Sequence, residues 1–428
     1  MINEAWPLRP LGELFEISAG KTMSAAARSG ADKTQFLRTS NVLWDEIDLT
    51  KVDEMAIPTH ELRGKLLSPG DLLVCEGGDI GRAAVWKGEV PTMSFQNHLH
   101  RLRPIGDDVE PRFYVYFLQS GFTQLGIFEG VGNKTTIPNL SRNSLASLDV
   151  PHPGINEQRG IARALASVRE AMKLHEQSLA VSKDLKRATM AALFTRGLKG
   201  EAQKETEIGP VPDSWDVAKI GDVSLSTQYG LSVRGQPSGA YPILRMNCQE
   251  DGAVHYRNLQ YVDLDLATYE DFRLRPGDLL FNRTNSIELV GRMSIIDDEQ
   301  PAVFASYLVR LTVDTKRCLP RFLNYFMNWP ATQDEIKKLA SRAVGQANIN
   351  ASKLRTVLFP LPPTLGEQQE IVAILDAIDR KIDLHKRKRA MLDELFKSLL
   401  HKLMTGEIRV ADLDLSVLGR PPMEEAAA

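Results

Sequence analysis

The chain contains an internal repeat, because its centre and its C-terminal part carry the same residues in the same order. At a constant offset of 210 residues, Glu157-Gln158 corresponds to Glu367-Gln368 and Leu174-His175 to Leu384-His385. This offset is far longer than the roughly 20–50 residues of solenoid repeats. The sequence therefore indicates a duplicated pair of elements, and a chain built in this way is expected to fold as an internal pseudo-dimer.

The repeat extends from the helical segments into the modules that precede them. Pro69-Gly70-Asp71 recurs as Pro276-Gly277-Asp278, each time as a turn before an apolar strand. Pro111-Arg112-Phe113 recurs as Pro320-Arg321-Phe322, where proline suits the first turn of a helix. We predict an α+β fold in which two mixed α/β domains are joined by two long helices. The predicted segments are 1–154 (module 1), 155–200 (central helix), 201–362 (module 2), 363–409 (C-terminal helix) and 410–428 (a disordered tail).

Heptad patterns predict the two long helices. Apolar residues recur at alternating steps of four and three, which is the pattern of a coiled-coil seam. A helix of roughly 38 residues is about 57 Å long, and such a seam needs a partner. We expect the two helices to pair with each other as an antiparallel spacer. The seam residues are Ile161, Leu165, Val168 and Met172 in the first helix and Ile371, Leu375, Ile378 and Ile382 in the second.

His175 and His385 occupy the same seam position in the two copies. One interpretation is a metal-binding or proton-linked pair. The favoured interpretation is a polar residue that fixes the register of the coiled coil, because no third ligand with metal-type spacing lies nearby.

Composition indicates an ordinary globular protein with few features of secretion. Hydrophobic residues make up 43% and charged residues 25% of the 428 residues, which is typical of a globular chain. The three cysteines, Cys75, Cys248 and Cys318, form no CxxC pair, so we expect a reducing compartment. The N-terminus lacks the features of a signal peptide, and no apolar run reaches the roughly 18 residues of a membrane span. We expect a cytoplasmic protein.

Motifs for catalysis are missing. Gly20-Lys21-Thr22 resembles the end of a P-loop, but Phe15 occupies the position where that loop needs its first glycine. Asp314-Thr315-Lys316 resembles the tail of a nuclease motif without the upstream partner. No dinucleotide loop, methyltransferase signature or nucleophile motif is found in the sequence. We therefore predict a chain without catalytic or metal-binding residues.

The order of the repeated motifs resembles the specificity subunit of type I restriction–modification systems. The motifs are Trp6, Leu11-Gly12, Pro69-Gly70-Asp71-Leu72-Leu73, Gly81-Arg82, Ile137-Pro138-Asn139-Leu140, and Pro151 and Pro153 before Glu157-Gln158. In the second copy, Ile349-Asn350-Ala351-Ser352 stands in place of Ile-Pro-Asn-Leu. The resemblance covers residues from about 6 to 409.

This resemblance implies that the chain is a sequence-specific DNA-recognition subunit that reads a bipartite, asymmetric target with one half-site per module. It also implies modification (methyltransferase) and restriction (translocase–nuclease) partner subunits, which would hold S-adenosylmethionine, ATP and Mg²⁺. The chain itself has a net charge of −3, and only residues 155–200 are basic, with 9 Lys and Arg against 4 Asp and Glu. We therefore expect partner subunits to supply many phosphate contacts. Two alternatives stay open: a fused DNA methyltransferase or nuclease with diverged motifs, and a coiled-coil scaffold that does not bind DNA.

Base-reading residues are expected where the two copies differ and carry side chains that suit base edges. The candidates in module 1 are Lys21, Thr22, Gln96, Asn97, Asn133 and Lys134. The candidates in module 2 are Ser232, Arg234, Asn282, Arg283, Asn285, Gln346 and Asn348. Arginines shared by both copies are expected to serve the fold or the phosphates; these are Arg38/Arg245, Arg82/Arg292, Arg101/Arg310 and Arg112/Arg321. Of these, Arg38 and Arg245 are included among the DNA-binding candidates.

Overall fold

The protein folds into two compact units. The computed structural model describes residues 6–126, 140–343 and 345–413. Unit 1 comprises Met1–Glu176 together with Arg387–Ala428, and unit 2 comprises Gln177–Lys386. Each unit therefore contains one mixed module and one half of each long helix.

The two long helices have the positions that the heptad patterns predict. The first spacer helix is Ile155–Arg196 and the second spacer helix is Leu365–Thr405. The predicted segments 155–200 and 363–409 extend a few residues beyond them. The first helix ends before Gly197, which has a φ of 62°, and the second ends before Gly406, which has a φ of 74°. Glycine adopts this left-handed conformation without a steric cost, so it commonly ends a helix.

The helices pack against each other within each unit. In unit 1, Ile161 and Leu165 from the start of the first spacer helix share a hydrophobic core with Leu403 from the end of the second. In unit 2, Phe194 from the end of the first helix shares a core with Ile371 from the start of the second. Because the start of one helix packs on the end of the other in each unit, the pairing is antiparallel, as predicted.

The seam residues are mostly buried. Ile161, Leu165, Val168, Ile371, Leu375 and Ile382 are buried, and Met172 and Ile378 are half-buried. Burying a large apolar side chain contributes about 1.5–3 kcal/mol, so the seam is a main source of stability for the helix pair.

Unit 1 is built around a four-stranded antiparallel sheet. Its strand order is Phe15–Ala19, Leu99–Pro104, Leu72–Cys75 and Ala83–Val85. A second sheet has the order Asp53–Ala56, Lys33–Leu37 and Ser94–Phe95, with the last two strands parallel. The short strands Val42–Leu43 and Glu46–Ile47 form a hairpin. The helices of the module are Leu11–Leu14, Ala25–Ser29, Thr59–Lys65, Pro111–Thr123 and Arg142–Ala146, with a 3-10 turn at Thr39–Asn41.

Unit 2 repeats this plan with a larger main sheet. Its strand order is Ser224–Tyr229, Leu308–Val313, Leu279–Asn282, Met293–Ile295, Ala253–Val254 and Gln249–Glu250. A second sheet has the order Gln260–Val262, Tyr241–Leu244 and Val303–Phe304, and a third has Thr284–Asn285, Gln346–Asn348 and Ser341–Ala343. Gln203–Thr206 pairs with Gly209–Pro212. The helices are Ile220–Val223, Leu266–Phe272, Pro320–Met327, Pro330–Lys338 and Ala351–Thr356, with a 3-10 turn at Met246–Cys248.

A pair of antiparallel strands closes each module just before its spacer helix. Leu8–Pro10 pairs with Asp149–Pro151 in unit 1, and Asp216–Lys219 pairs with Leu358–Leu361 in unit 2. The beginning and the end of each module are therefore joined by backbone hydrogen bonds, which fixes the point from which the helix starts.

The segment that the sequence predicts as a disordered tail begins with an ordered turn. Val410–Asp412 is a 3-10 turn, and Val410 and Leu413 pack against the core of unit 1. Residues 414–428 lie outside the described part of the chain. Among the described residues, no helix is both long enough and apolar enough to cross a membrane.

Candidate nucleic-acid interface

Backbone hydrogen bonds join segments of unit 1 that are distant in the sequence into one structure, which we call the frame. The bonds, each from an amide N–H to a carbonyl oxygen, are Lys21 to Phe95 (2.9 Å), Asn97 to Lys21 (3.1 Å), Gln96 to Leu37 (2.9 Å), Leu99 to Gln96 (2.9 Å), Glu76 to His98 (2.9 Å) and Leu140 to Glu76 (3.0 Å). Because these bonds hold the backbone on both sides of several residues, they fix the backbone positions from which the side chains of those residues project.

Unit 2 forms the same frame from equivalent residues. Its bonds are Leu231 to Phe304 (2.8 Å), Ser306 to Leu231 (2.9 Å), Ala305 to Leu244 (2.9 Å), Leu308 to Ala305 (2.9 Å), Arg283 to Tyr307 (3.0 Å) and Ile349 to Arg283 (2.8 Å). Every bond of the frame in unit 1 has a counterpart here. The frame is therefore a shared structural feature of the duplicated modules.

A glycine permits the closest approach within each frame. A Cβ atom on Gly20 would lie 2.2 Å from the carbonyl oxygen of Phe95, and one on Gly230 would lie 2.3 Å from that of Ala305. Both distances are far below van der Waals contact, so only glycine allows the backbones to approach this closely. The Gly20-Lys21 pair, which superficially resembles a P-loop, has this structural role.

The side chains on the frame differ between the units although the backbone is the same. The equivalent pairs are Lys21/Leu231, Glu76/Arg283, Gln96/Ala305, Asn97/Ser306 and His98/Tyr307. In contrast, the buried aromatic residue of the frame, Phe95 or Phe304, is the same in both. A constant backbone with variable polar side chains is suited to recognising two different ligand surfaces in a common geometry.

Arg101 and Arg310 support the frame from within the protein. Their guanidinium groups lie 5.8 Å and 5.4 Å from the ring centroids of Phe95 and Phe304. Arg101 donates to the carbonyl oxygen of Leu66 at 2.9 Å, and Arg310 donates to that of Arg273 at 2.8 Å. Burial lowers the pKa of both guanidinium groups. These contacts favour a role in the fold over a role in binding phosphate.

Arg112 and Arg321 are also engaged inside the protein. Arg112 donates two hydrogen bonds to the carboxylate of Asp45, each of 2.9 Å. Arg321 forms ion pairs with Asp297 and Asp376, the latter at 3.5 Å. The third shared pair differs between the units: Arg82 donates to the carbonyl oxygen of Thr39 at 2.8 Å, whereas Arg292 is exposed.

Most of the predicted DNA-binding residues of module 1 lie on or beside the frame. Gln96 and Asn97 are half-buried, and Thr22 is exposed. Lys21 forms an ion pair of 2.7 Å with Glu61, and this hydrogen bond lowers the pKa of the Glu61 carboxyl. Arg38 is the residue after Leu37, whose carbonyl oxygen accepts a frame bond from Gln96, and it forms an ion pair with Asp53. The predicted Asn133 and Lys134 lie outside the described residues.

The predicted residues of module 2 lie at the surface, on the frame or in adjoining strands. Ser232, Arg234 and Gln346 are exposed, and Arg245 is half-buried. Arg283 lies on the frame, where it donates to the carbonyl oxygen of Ser306 at 3.1 Å and has its guanidinium group 4.8 Å from the Tyr229 ring.

The other candidates of module 2 belong to adjoining strands. Asn348 donates to the hydroxyl oxygen of Thr284 at 2.7 Å. Asn285 accepts a 2.8 Å hydrogen bond from the amide N–H of Ser286. Asn282 does not reach the surface, because it is only 1% exposed at the end of a fully buried strand. It is therefore a core residue of this structure and not a surface candidate.

The sequence criteria missed most of the side chains that differ between the two frames. Glu76, His98, Ser306 and Tyr307 were missed because base-reading residues were expected to be Arg, Lys, Asn or Gln. Leu231 and Ala305 were missed because they are apolar. Aligning the two copies position by position would have placed Glu76 opposite Arg283, and this reversal of charge is a signal that the sequence does contain.

The predicted alignment of one repeated motif was wrong by three residues. The sequence comparison matched Ile349 with Ile137, but the structure matches Ile349 with Leu140, since their amides bind the equivalent residues Arg283 and Glu76. The next residue in each copy caps a short helix: Ser141 accepts from Ser144, and Asn350 accepts from Lys353. Leu140 is therefore the counterpart of Ile349, while Ile137, Pro138 and Asn139 of the repeated motif lie outside the described residues.

A buried glutamine connects each spacer helix to its module. Gln158 and Gln368 are both 0% exposed. The side-chain oxygen of Gln158 accepts from the Glu110 amide at 2.9 Å, and that of Gln368 accepts from the Leu319 amide at 2.8 Å. The repeated Glu-Gln motif thus has a structural explanation: it attaches the helix to the segment before the Pro111 or Pro320 helix.

Potential metal-ligating side chains do not cluster in the described part of the chain. Within residues 6–126, 140–343 and 345–413, no group of three or more His, Cys, Asp and Glu side chains is arranged to hold a metal ion. His175 and His385 are half-buried on the spacer helices. Their proposed role in setting the register stays a prediction.

Comparisons with known proteins point to one family. The family described as "Type I restriction modification DNA specificity domain" matches residues 3–181 and 212–394. The chain is 24% identical over 430 residues to the type I restriction enzyme StySPI specificity subunit of Salmonella potsdam, covering 95% of this chain and 90% of that protein. It is 24% identical over 350 residues to the MjaVIII specificity subunit of Methanocaldococcus jannaschii, covering 80% of each. Its fold is similar to the crystal structure of a type I system S subunit from M. genitalium, with a TM-score of 0.60 and 15% identity over 94% of this chain and 96% of that one.

Proposed function

The chain belongs to the family of type I restriction–modification DNA specificity subunits, and we propose that each of its two units reads one half-site of a bipartite, asymmetric DNA target. The observation that carries this proposal is the frame. Two copies of one backbone structure can approach duplex DNA in the same way, while the different side chains on them select different bases. An asymmetric target follows from the five positions at which the copies differ.

The chain is proposed to be non-catalytic. Modification subunits would bind S-adenosylmethionine and transfer the methyl group, and restriction subunits would use ATP and Mg²⁺ for translocation and cleavage. The sequence supports this division, since it contains none of the motifs that these reactions use. The near-neutral charge of the chain also favours a complex in which partners contribute to phosphate binding.

Exposed apolar side chains on the spacer helices are the proposed contact sites for modification subunits. Unit 1 exposes Leu174, Met391 and Leu395 to 58%, 72% and 38%, and unit 2 exposes Leu384, Val181 and Leu185 to 50%, 67% and 48%. Each residue of one set corresponds to a residue of the other at the offset of 210. In the heptad pattern, all six apolar residues lie beside the seam, on the same side of it in each helix. Exposed apolar patches mark interaction surfaces, and a patch present twice fits two copies of one partner.

Co-expression with a modification subunit tests the proposed function. DNA from cells that contain both subunits is sequenced for methylated bases, with the chain alone and the modification subunit alone as controls. We expect one asymmetric motif with two specified half-sites and an unread gap, and only when both subunits are present. A complex without sequence-specific binding to duplex DNA would support a scaffold instead. Methyl transfer by the purified chain alone would support a fused enzyme.

A further inference from the structure

One position of the frame carries opposite charges in the two units. Glu76 in unit 1 and Arg283 in unit 2 each follow a buried strand, Leu72–Cys75 or Leu279–Asn282. The amide of Glu76 binds His98 and its carbonyl oxygen binds Leu140, while Arg283 makes the same two bonds to Tyr307 and Ile349. Because the backbone is held on both sides, the two side chains leave the frame from the same point. Both residues are half-buried.

Glu76 has no ion-pair partner among the described residues, whereas Lys21 of the frame and Arg82, whose carbonyl oxygen accepts from the Cys75 amide, pair with other carboxylates. Lys21 pairs with Glu61 at 2.7 Å, and Arg82 pairs with Asp79. A free carboxylate on a DNA-binding surface is repelled by the phosphates, so it opposes binding unless it meets a hydrogen-bond donor. In the major groove, the exocyclic amino groups of cytosine and adenine are such donors.

Arg283 is held in a way that leaves donor groups available. One terminal nitrogen donates to the carbonyl oxygen of Ser306 at 3.1 Å, and the Tyr229 ring lies 4.8 Å from the guanidinium carbon. Of the five N–H groups on the guanidinium, Ser306 uses one and the Nε–H is buried without a partner, so the other three, on the two terminal nitrogens, are left for a base. Arginine with its remaining donors directed at a base edge is the common reader of guanine.

We propose that this frame position reads a base in each half-site with opposite chemistry. Glu76 accepts a hydrogen bond from the exocyclic amino group of a cytosine or an adenine, and Arg283 donates to the O6 and N7 acceptors of a guanine. The inference rests on the proposed function, because it requires that each unit reads one half-site. It names one of the five differing frame positions as a source of the chemical difference between the two half-sites.

The test uses the full chain in complex with its modification subunit. Glu76→Ala and Arg283→Gln are compared with the wild type by mapping the methylated motif and by measuring binding to duplexes with single base-pair changes. Glu76→Ala removes both acceptor oxygens and is expected to reduce discrimination about 5- to 150-fold at one base pair of the first half-site. Arg283→Gln is expected to do the same in the second half-site. In each variant, discrimination at the other half-site is expected to equal that of the wild type. This result also shows that the complex is folded.

Two control variants remove the same charge elsewhere in the same unit. Asp149→Asn and Lys316→Gln change exposed residues outside the frame and are expected to leave the motif unchanged. Duplexes that exchange C·G for A·T at the affected position distinguish the cytosine amino group from that of adenine. The inference is overturned if the wild type reads a bipartite motif and Glu76→Ala only tightens binding to all sequences equally. A wild-type complex without any bipartite motif would contradict the proposed function itself.

Discussion

In both units a buried glutamine attaches the module to a spacer helix. The side-chain contacts that pair the two spacer helices, however, differ between the units. In unit 1, the guanidinium of Arg169 lies 4.7 Å from the ring centroid of Phe396. In unit 2, the ammonium of Lys186 lies 2.6 Å from the carboxylate of Asp379. At the offset of 210, Arg169 corresponds to Asp379 and Lys186 to Phe396. The cation is on the first spacer helix in both units, but at different positions of the repeat.

This difference shows that the two halves of the chain are not interchangeable. If the first half paired with a copy of itself, Arg169 would meet Lys186, and two like charges would lie together. If the second half did so, Asp379 would meet Phe396 without a cation. Like charges and unpaired carboxylates are both unfavourable at a partly buried interface. The chemistry of the seam therefore favours pairing between the two different halves.

The polar surroundings of the two pairs differ as well. In unit 2, the Tyr325 hydroxyl donates to Asp376 at 2.6 Å and is 2.8 Å from Asp379, and burial together with these carboxylates raises the pKa of Tyr325. In unit 1, the equivalent Tyr116 donates to Asp45, a residue of the module and not of the helix. Unit 2 thus connects its module directly to the second spacer helix through carboxylates.

The largest effect is expected from a charge in the seam. Leu165→Asp and Leu375→Asp each place a carboxylate at a position that is 0% exposed. Each is expected to lower the free energy of unfolding by about 3–5 kcal/mol, because the charge is buried without a partner. Chemical denaturation measures this loss. Leu174→Asp, on an exposed position of the same helix, serves as the control, and an equal loss in that variant would rule out the packing explanation.

A smaller effect is expected at the glutamine that attaches each helix. Gln158→Leu and Gln368→Leu leave the amide N–H of Glu110 or Leu319 without its acceptor, at a cost of about 1–3 kcal/mol. Thermal unfolding should show similar losses for the two variants, since both units use this contact. Gln369→Leu changes the exposed neighbour of Gln368 and should have little effect. A loss in only one unit would break the equivalence of the two attachments.

Double-mutant cycles to alanine compare the two helix pairings directly. The Lys186–Asp379 cycle is expected to give a coupling of about 1 kcal/mol that weakens with added salt. The Arg169–Phe396 cycle is expected to give about 0.5–1 kcal/mol with little dependence on salt. Denaturation at low and high ionic strength provides both values. Identical salt dependence in the two cycles would contradict the chemical difference described above.

The smallest effect on stability is expected from the exposed apolar residues. Val181→Glu and Met391→Glu should change the free energy of unfolding by less than about 0.5 kcal/mol. Both should weaken binding of the modification subunit, and the double variant should bind less than either single one. Calorimetric titration of the purified chain with that subunit measures this. Lys388→Glu, also exposed on the second spacer helix, is the control; unchanged binding by the apolar variants would place the contact elsewhere.

The sequence predicted the helices and missed most of the frame for a physical reason. A heptad seam is a local pattern, so Leu165 and Leu375 could be identified from spacing alone. The frame joins residues as far apart as Lys21 and Leu140, and no local pattern records which backbone amide will bind which carbonyl. Asn282 illustrates the same limit. Its residue type suits base recognition, but only the packing of its strand shows that the side chain is buried.

The central claim is that each unit reads its half-site independently from a shared frame. It is tested most directly by replacing residues 1–154 with the corresponding module of another family member and mapping the methylated motif of the complex. We predict that one half-site changes to that of the donor, while the other half-site and the length of the unread gap stay the same. A change in both half-sites, or in neither, would contradict the claim.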